Sequence, residues 1–272
     1  MTPVAETDTV SPALRALGRP RWLAIGCIAV LAAAGWSYLG LMLASSGVLE
    51  ALCGPTFGAA KPSLAQAGLV FAMWCAMALA MMLPTAGPMI LTYADIAETA
   101  AHKGEPAAAP LWLIAGYVGV WLGVAAVLAA LQLLLARLSL LDPAMASVSP
   151  LFSGAAFIGA GLYQFSALKH ACVTQCQRPF PFFFANWTAQ AHGVFRLGLR
   201  QGLYCLGCCW AMMLLMFAVG VMNVVWMAAL GMVMTIEKLG STTRFSRALG
   251  VVFIAVGAAF IITATAAHWP GT

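Results

Sequence analysis

The 272 residues are 63% hydrophobic and 8% charged, with a formal net charge of +5 and a mean hydropathy of +0.94. A soluble domain needs about a quarter of its residues charged to cover its surface, so large soluble enzymes and nucleic-acid-binding domains are excluded, and a lipid bilayer is the expected surround. No Lys/Arg-rich run accompanies the positive balance, which therefore reports which helix ends face the cytoplasm rather than a nucleic-acid partner.

Residues 1–20, rich in Thr, Ala and Pro, read as a disordered cytoplasmic tail, and residues 21–269 as a single transmembrane helical domain. A spanning helix needs about 20 apolar residues and tolerates an ionised centre poorly. The charge-free windows are 22–49, 62–94, 106–136, 143–168, 201–236 and 248 onward. The first window stays apolar through Leu43 after a long polar lead, the pattern of an anchor rather than a cleaved signal peptide. In the second, Pro84 and Pro88 interrupt the helix and free carbonyls that must find partners. The 201–236 window is 36 residues, too long for one pass, and Gly220 to Asn223 offers a turn between helices over about 198–219 and 221–239.

The expected fold is all-α: a polytopic membrane bundle of about seven transmembrane helices, N-in and C-out, in a bacterial inner membrane. That topology puts eleven Lys and Arg on the cytoplasmic side and only Lys61 and Arg137 outside, whereas a single pass over 201–236 would make it eight against five.

Eight cysteines stand at 27, 53, 75, 172, 176, 205, 208 and 209, the last five within 38 residues. Cys205, Cys208, Cys209, Met212 and Met216 follow the spacing i, i+3, i+4, i+7 and i+11, which aligns five sulfur atoms on one helical face, with Met213 at its border. Polarisable sulfur suits a soft cation such as Cu(I) and not hard Mg or Ca. Cys and Met also fill irregular gaps between buried helices, and it is the C-x-x-C-C spacing that lifts this column above ordinary packing. Met73, Met77 and Met81 stack at i, i+4 and i+8 with Met82 beside them, just before Pro84, so a kinked Met-lined helix facing the Cys helix would wall a groove with sulfur.

Cys172 and Cys176, with His170 ahead of them, form an H-x-C-x-x-x-C cluster in the long basic stretch from Lys169 to Arg200. On the cytoplasmic side thiols stay reduced, so metal capture or thiol exchange is expected there before a structural disulfide. Glu237 and Lys238 close the sixth helix and read as a satisfied helix end at the membrane interface. None of the four histidines falls mid-membrane, which disfavours a bis-histidine haem, and the sequence contains no phosphate loop, HExxH, nucleophile elbow or paired carboxylates. The chain is expected not to be an enzyme.

The stretch from Met73 to Pro84 reads MWCAMALAMMLP. With Lys169, Cys172 and Cys176 in the stretch 163–179, and 198–238 reading GLRQGLYCLGCCWAMMLLMFAVGVMNVVWMAALGMVMTIEK, it resembles the bacterial DUF2182 family of predicted metal-binding integral membrane proteins, which includes PpoB2/CopP-like copper chaperones. The resemblance covers roughly residues 65–240 and implies copper as cargo and a tyrosinase-like oxidase as client. Two positions depart from the family pattern: Gln177 directly follows Cys176, where Arg is usual, and Gln201 stands where relatives often carry His.

Residues and resemblance together point to a Cu(I) chaperone that hands copper to a client cuproenzyme by thiolate and thioether exchange, with zinc as the alternative ion. The expected ligands are Cys205, Cys208, Cys209, Met212, Cys172, Cys176, His170, Met81 and Met82. A soft-metal permease using the same column, with Cys53, Met42 and Met145 at its exit, is the second reading. A dithiol membrane oxidoreductase is the third; vicinal cysteines on a helix count against a Cys208–Cys209 bridge but not against Cys172–Cys176.

Overall fold

The computed structural model describes residues 20–44, 63–142, 146–221, 223–240 and 243–268. The tail reading, Cys53, Lys61, Met145 and Met222 fall outside them. The helices are α1 (Pro20–Ala44), α2 (Leu64–Thr85), α3 (Gly87–His102), α4 (Pro110–Arg137), α5 (Pro150–Tyr163), α6 (Ala167–Gln177), α7 (Pro179–Ala185), α8 (Ala191–Leu214), α9 (Met216–Val219), α10 (Val224–Leu239) and α11 (Thr243–His268). Among the described residues there is no strand, only an isolated antiparallel bridge between Leu141 and Ser147.

Among these helices, α1, α2, α4, α8 continued by α9, and α11 are each long and apolar enough to cross a membrane. The α5–α6 pair, bent by 64°, makes a sixth if it counts as one span. The chain is a multi-pass membrane protein with five to six such helices. The 16 residues of α10 extend only about 24 Å at 1.5 Å per residue, short of a hydrocarbon core about 30 Å thick.

Local sequence explains where the helices begin and break. Ser63 and Gln66 close a capping box at the start of α2, Ser166 accepts from the Lys169 amide to start α6, and Asn223 accepts from the Trp226 amide to start α10. The expected turn is present: Gly220 takes φ 98°, a left-handed conformation that a side chain would strain. Pro84 lies inside α2 and has no N–H to offer the Ala80 carbonyl. The Trp36 indole of α1 donates to that carbonyl instead, at 3.2 Å.

Small residues set the helix crossings, as they do where lipid removes the hydrophobic drive between helices. A Cβ on Gly116 of α4 would collide with the Phe195 carbonyl of α8, and one on Gly198 with the Leu113 carbonyl, so the two backbones touch. Gly154 and Gly161 of α5 meet Gly257 and Gly250 of α11 in the same way, and Phe157 stacks on Phe260 beside them at 5.8 Å. The core between α2, α4, α8 and α10 is filled by Trp74, Tyr117, Met73, Met77, Met82 and Cys209, all buried.

The stretch 169–200, expected as a basic loop, is largely helical. It holds most of α6, all of α7 and the first turns of α8, which starts at Ala191 rather than near residue 198. Glu237 and Lys238, expected at the membrane interface, are 4% and 6% exposed, packed inside the protein against Lys169 of α6 and against Thr85 and Cys205 respectively.

Candidate metal centre

The C-x-x-C-C run lies mid-way along α8, facing inward, and the metal-binding atoms of Cys205, Cys208 and Cys209 all lie within 4.8 Å of one another. Each is at most 3% exposed. The Cys208 and Cys209 thiols both donate to the Cys205 carbonyl at 3.0 Å, the i−3 and i−4 bonding open to a polar side chain on a helix. Met82 of α2 faces this cluster, its Sδ 3.8 Å from Cys209 Sγ. Met212, Met213 and Met216 continue the column one and two turns further, all buried. Met81 is also buried but packs toward α10, against Gly231.

Cys172 and Cys176 sit on α6. Cys172 packs on α8 at Gly207, where an added Cβ would stand 2.5 Å from Cys172 Sγ. Cys176, one turn on and partly exposed, lines the same small cavity as Cys205. The expected thiols from two separate sequence clusters thus meet at one place. His170 is half-buried on α6, and at about 100° per residue it points well away from the face that carries Cys172 and Cys176. Every cysteine among the described residues is a free thiol.

Four groups at this centre escaped the sequence reading. Lys238 Nζ donates to Cys205 Sγ at 2.9 Å and to Thr85 Oγ1 at 2.8 Å, and lies 3.7 Å from Met82 Sδ. The Tyr117 hydroxyl lies 2.9 Å from Cys205 Sγ and 3.0 Å from the Met82 carbonyl, which also accepts from the Ala86 amide and the Thr85 hydroxyl. Gln201, one turn before Cys205, is 2% exposed, and its Nε2 has no partner among the described residues. Thr85, Tyr117, Cys176, Gln201, Cys205 and Lys238 line a cavity of about 10 Å³, room for one water-sized occupant.

A buried charge pair links α6 to α10 beside the centre. Lys169 of α6 and Glu237 of α10 form a salt bridge at 2.8 Å, with side chains 1% and 2% exposed. Gln177 donates to the Glu237 carbonyl at 2.8 Å and also to the Gly240 carbonyl, holding the end of α6 to the end of α10.

A family model described as PpoB2, copper chaperone, matches residues 71–260. The chain belongs to that copper chaperone family. No curated protein and no solved structure matches it. The matched region leaves out α1 and takes in every helix that lines the thiol cluster. A chaperone's copper is cargo rather than a resident cofactor, and the donors at this centre are of the kind copper selects: three thiols, a thioether and no carboxylate ligand.

Proposed function

We propose that the protein is a membrane Cu(I) chaperone of the bacterial inner membrane in which Cys205, Cys208 and Cys209 hold the ion. The observation that carries this reading is the three-thiol cluster itself, buried between spanning helices with Met82 at its side. Cys172 and Cys176 take copper at the end of α6, and Cys176, which lines the same small cavity as Cys205, passes it inward by exchange of one sulfur ligand for another. Such exchange needs no nucleotide, and two- or three-coordinate sulfur suits Cu(I) better than Zn(II), which prefers four ligands. Met212 completes the shell on the far side of the thiols, Met81 lines the wall toward α10, and His170 serves the entrance.

The topology that suits this role has seven passes, N-in and C-out, with α10 as a short pass. It is supported by the excess of Lys and Arg on the side where α6 and the end of α10 meet. Copper then enters from the cytoplasmic side, and the client is a copper enzyme, tyrosinase-like by family resemblance.

The test is the metal content of detergent-purified protein under reducing conditions, with copper and zinc both supplied, wild type beside Cys205→Ser/Cys208→Ser/Cys209→Ser. Near-stoichiometric copper in wild type and its loss in the variant is the expected result. Equal loading of the two proteins overturns the intramembrane site and leaves only Cys172 and Cys176 as ligands.

A further inference from the structure

Among the described residues the buried charged side chains are Lys169, Glu237 and Lys238. The first two cancel in their salt bridge. Lys238 makes no ion pair with a carboxylate among the described residues, and its ammonium is held only by Thr85, Met82 and Cys205. A lone cation in a bundle walled by lipid is costly unless a negative charge joins it. Among the described residues, the ionisable group in direct contact with the ammonium is the Cys205 thiol, backed by Cys208 and Cys209 and by the Tyr117 hydroxyl.

We infer that Lys238 is the counter-charge of the copper site, its ammonium neutralising a two-thiolate Cu(I) complex and so fixing how many of the three cysteines bind as thiolates. The inference rests on the copper-chaperone reading and adds a role for a residue outside the ligand set. Binding of Cu(I) by two thiols releases two protons to the aqueous phase and leaves a complex with one negative charge. The ammonium at Cys205 brings the sum to zero. A third thiolate would leave one negative charge uncompensated in a low-dielectric interior, so the third cysteine stays a protonated thiol, available for the next exchange step. Zn(II) reaches neutrality only with all three thiolates, so counting sulfur ligands also tells the two metals apart.

The experiment uses the full chain in detergent, loaded with Cu(I) under reducing conditions, as wild type, Lys238→Met and Lys238→Arg. Affinity is read by competition with a chromogenic Cu(I) chelator, and the sulfur shell by X-ray absorption. Lys238→Met keeps the length of the side chain and removes a desolvated cation, so the metal-free variant retains its fold. Wild type is expected to show a two-thiolate shell. Lys238→Met is expected to bind at least about tenfold more weakly, or to move copper to one thiolate plus a thioether, because a buried charge without its partner is strongly disfavoured. Lys238→Arg, which keeps the charge, is expected to keep both affinity and shell. Unchanged affinity and shell in Lys238→Met overturns the inference, as does a three-thiolate shell in wild type or a Lys238→Arg variant that behaves like Lys238→Met. Wild type that takes up no copper overturns the chaperone reading itself, a result distinct from the others.

Discussion

Replacing Lys169 by Met should be among the most damaging single changes outside the thiol cluster. Its ammonium lies 2.8 Å from Glu237 Oε2 with both side chains almost fully buried, and Glu237 Oε1 already has no partner among the described residues. Removing one member of a buried pair costs about 3–5 kcal/mol, because the other charge is stranded. Here the stranded carboxylate would have neither oxygen satisfied, which places Lys169→Met near 4 kcal/mol, roughly a 10 °C fall in unfolding midpoint for a chain of this size. Glu237→Gln keeps an amide oxygen for Lys169 to bond but strands the buried ammonium without a counter-charge, and should cost about 3 kcal/mol, the low end of the same range. The double variant Lys169→Met/Glu237→Leu removes both charges and should recover most of the loss. Thermal unfolding of the three variants in detergent, metal-free, checks the series. Lys169→Met unfolding together with wild type, or a double variant worse than either single, would refute the reasoning.

Three further outcomes are expected. Gly198→Ala drives a Cβ into the Leu113 carbonyl and should cost about 1–3 kcal/mol by overpacking, read as a lower unfolding midpoint; a midpoint equal to wild type would mean that α4 and α8 are not in backbone contact. Tyr117→Phe removes the hydroxyl between the Met82 carbonyl and Cys205 and should cost about 1–2 kcal/mol in chemical denaturation, since Thr85 still donates to that carbonyl. Cu(I) at about a hundred times its dissociation constant should add close to 2.7 kcal/mol of stability, reversed by a chelator; a midpoint indifferent to both would rule out a site that exists only in the folded protein.

Much of this arrangement is legible in the residues because helical spacing is rigid. Cys205, Cys208 and Cys209 had to share a face of α8, and Pro84 had to release the Ala80 carbonyl. The turn at Gly220 followed from the length of the window that contains it. Tertiary placement was less legible. His170 is separated from Cys172 and Cys176 by the same helical geometry that unites those two, once the stretch is helix rather than loop. Lys238 reads as a helix end at the interface because a charge closing an apolar run usually is one, and its burial depends on a contact with Cys205 that joins residues 33 apart in sequence. Tyr117 had no local signal at all, since its role depends on how α4 lies against α2 and α8.

The far end of the sulfur column separates a chaperone from a permease. Beyond Met216 the column runs into Phe217, whose ring lies 5.5 Å from that of Trp74. Trp74 is pinned in turn by a 2.7 Å bond from its indole to Gln132 Oε1. All three side chains are at most 2% exposed, and none offers a ligand that Cu(I) prefers. Among the described residues, an ion passed along the thiols and thioethers meets an aromatic wall after its last sulfur, and the chaperone reading predicts that the column is a blind pocket loaded and emptied from one side. Sealed vesicles carrying the wild-type protein should therefore bind external Cu(I) without delivering it to a chelator trapped inside. Trp74→Phe should leave that barrier in place while costing about 1–3 kcal/mol of stability, because Gln132, whose Nε2 already has no partner, would lose its remaining bond. Copper reaching the trapped chelator through wild type, and not through the triple Ser variant, would refute the blind pocket and make the protein a permease.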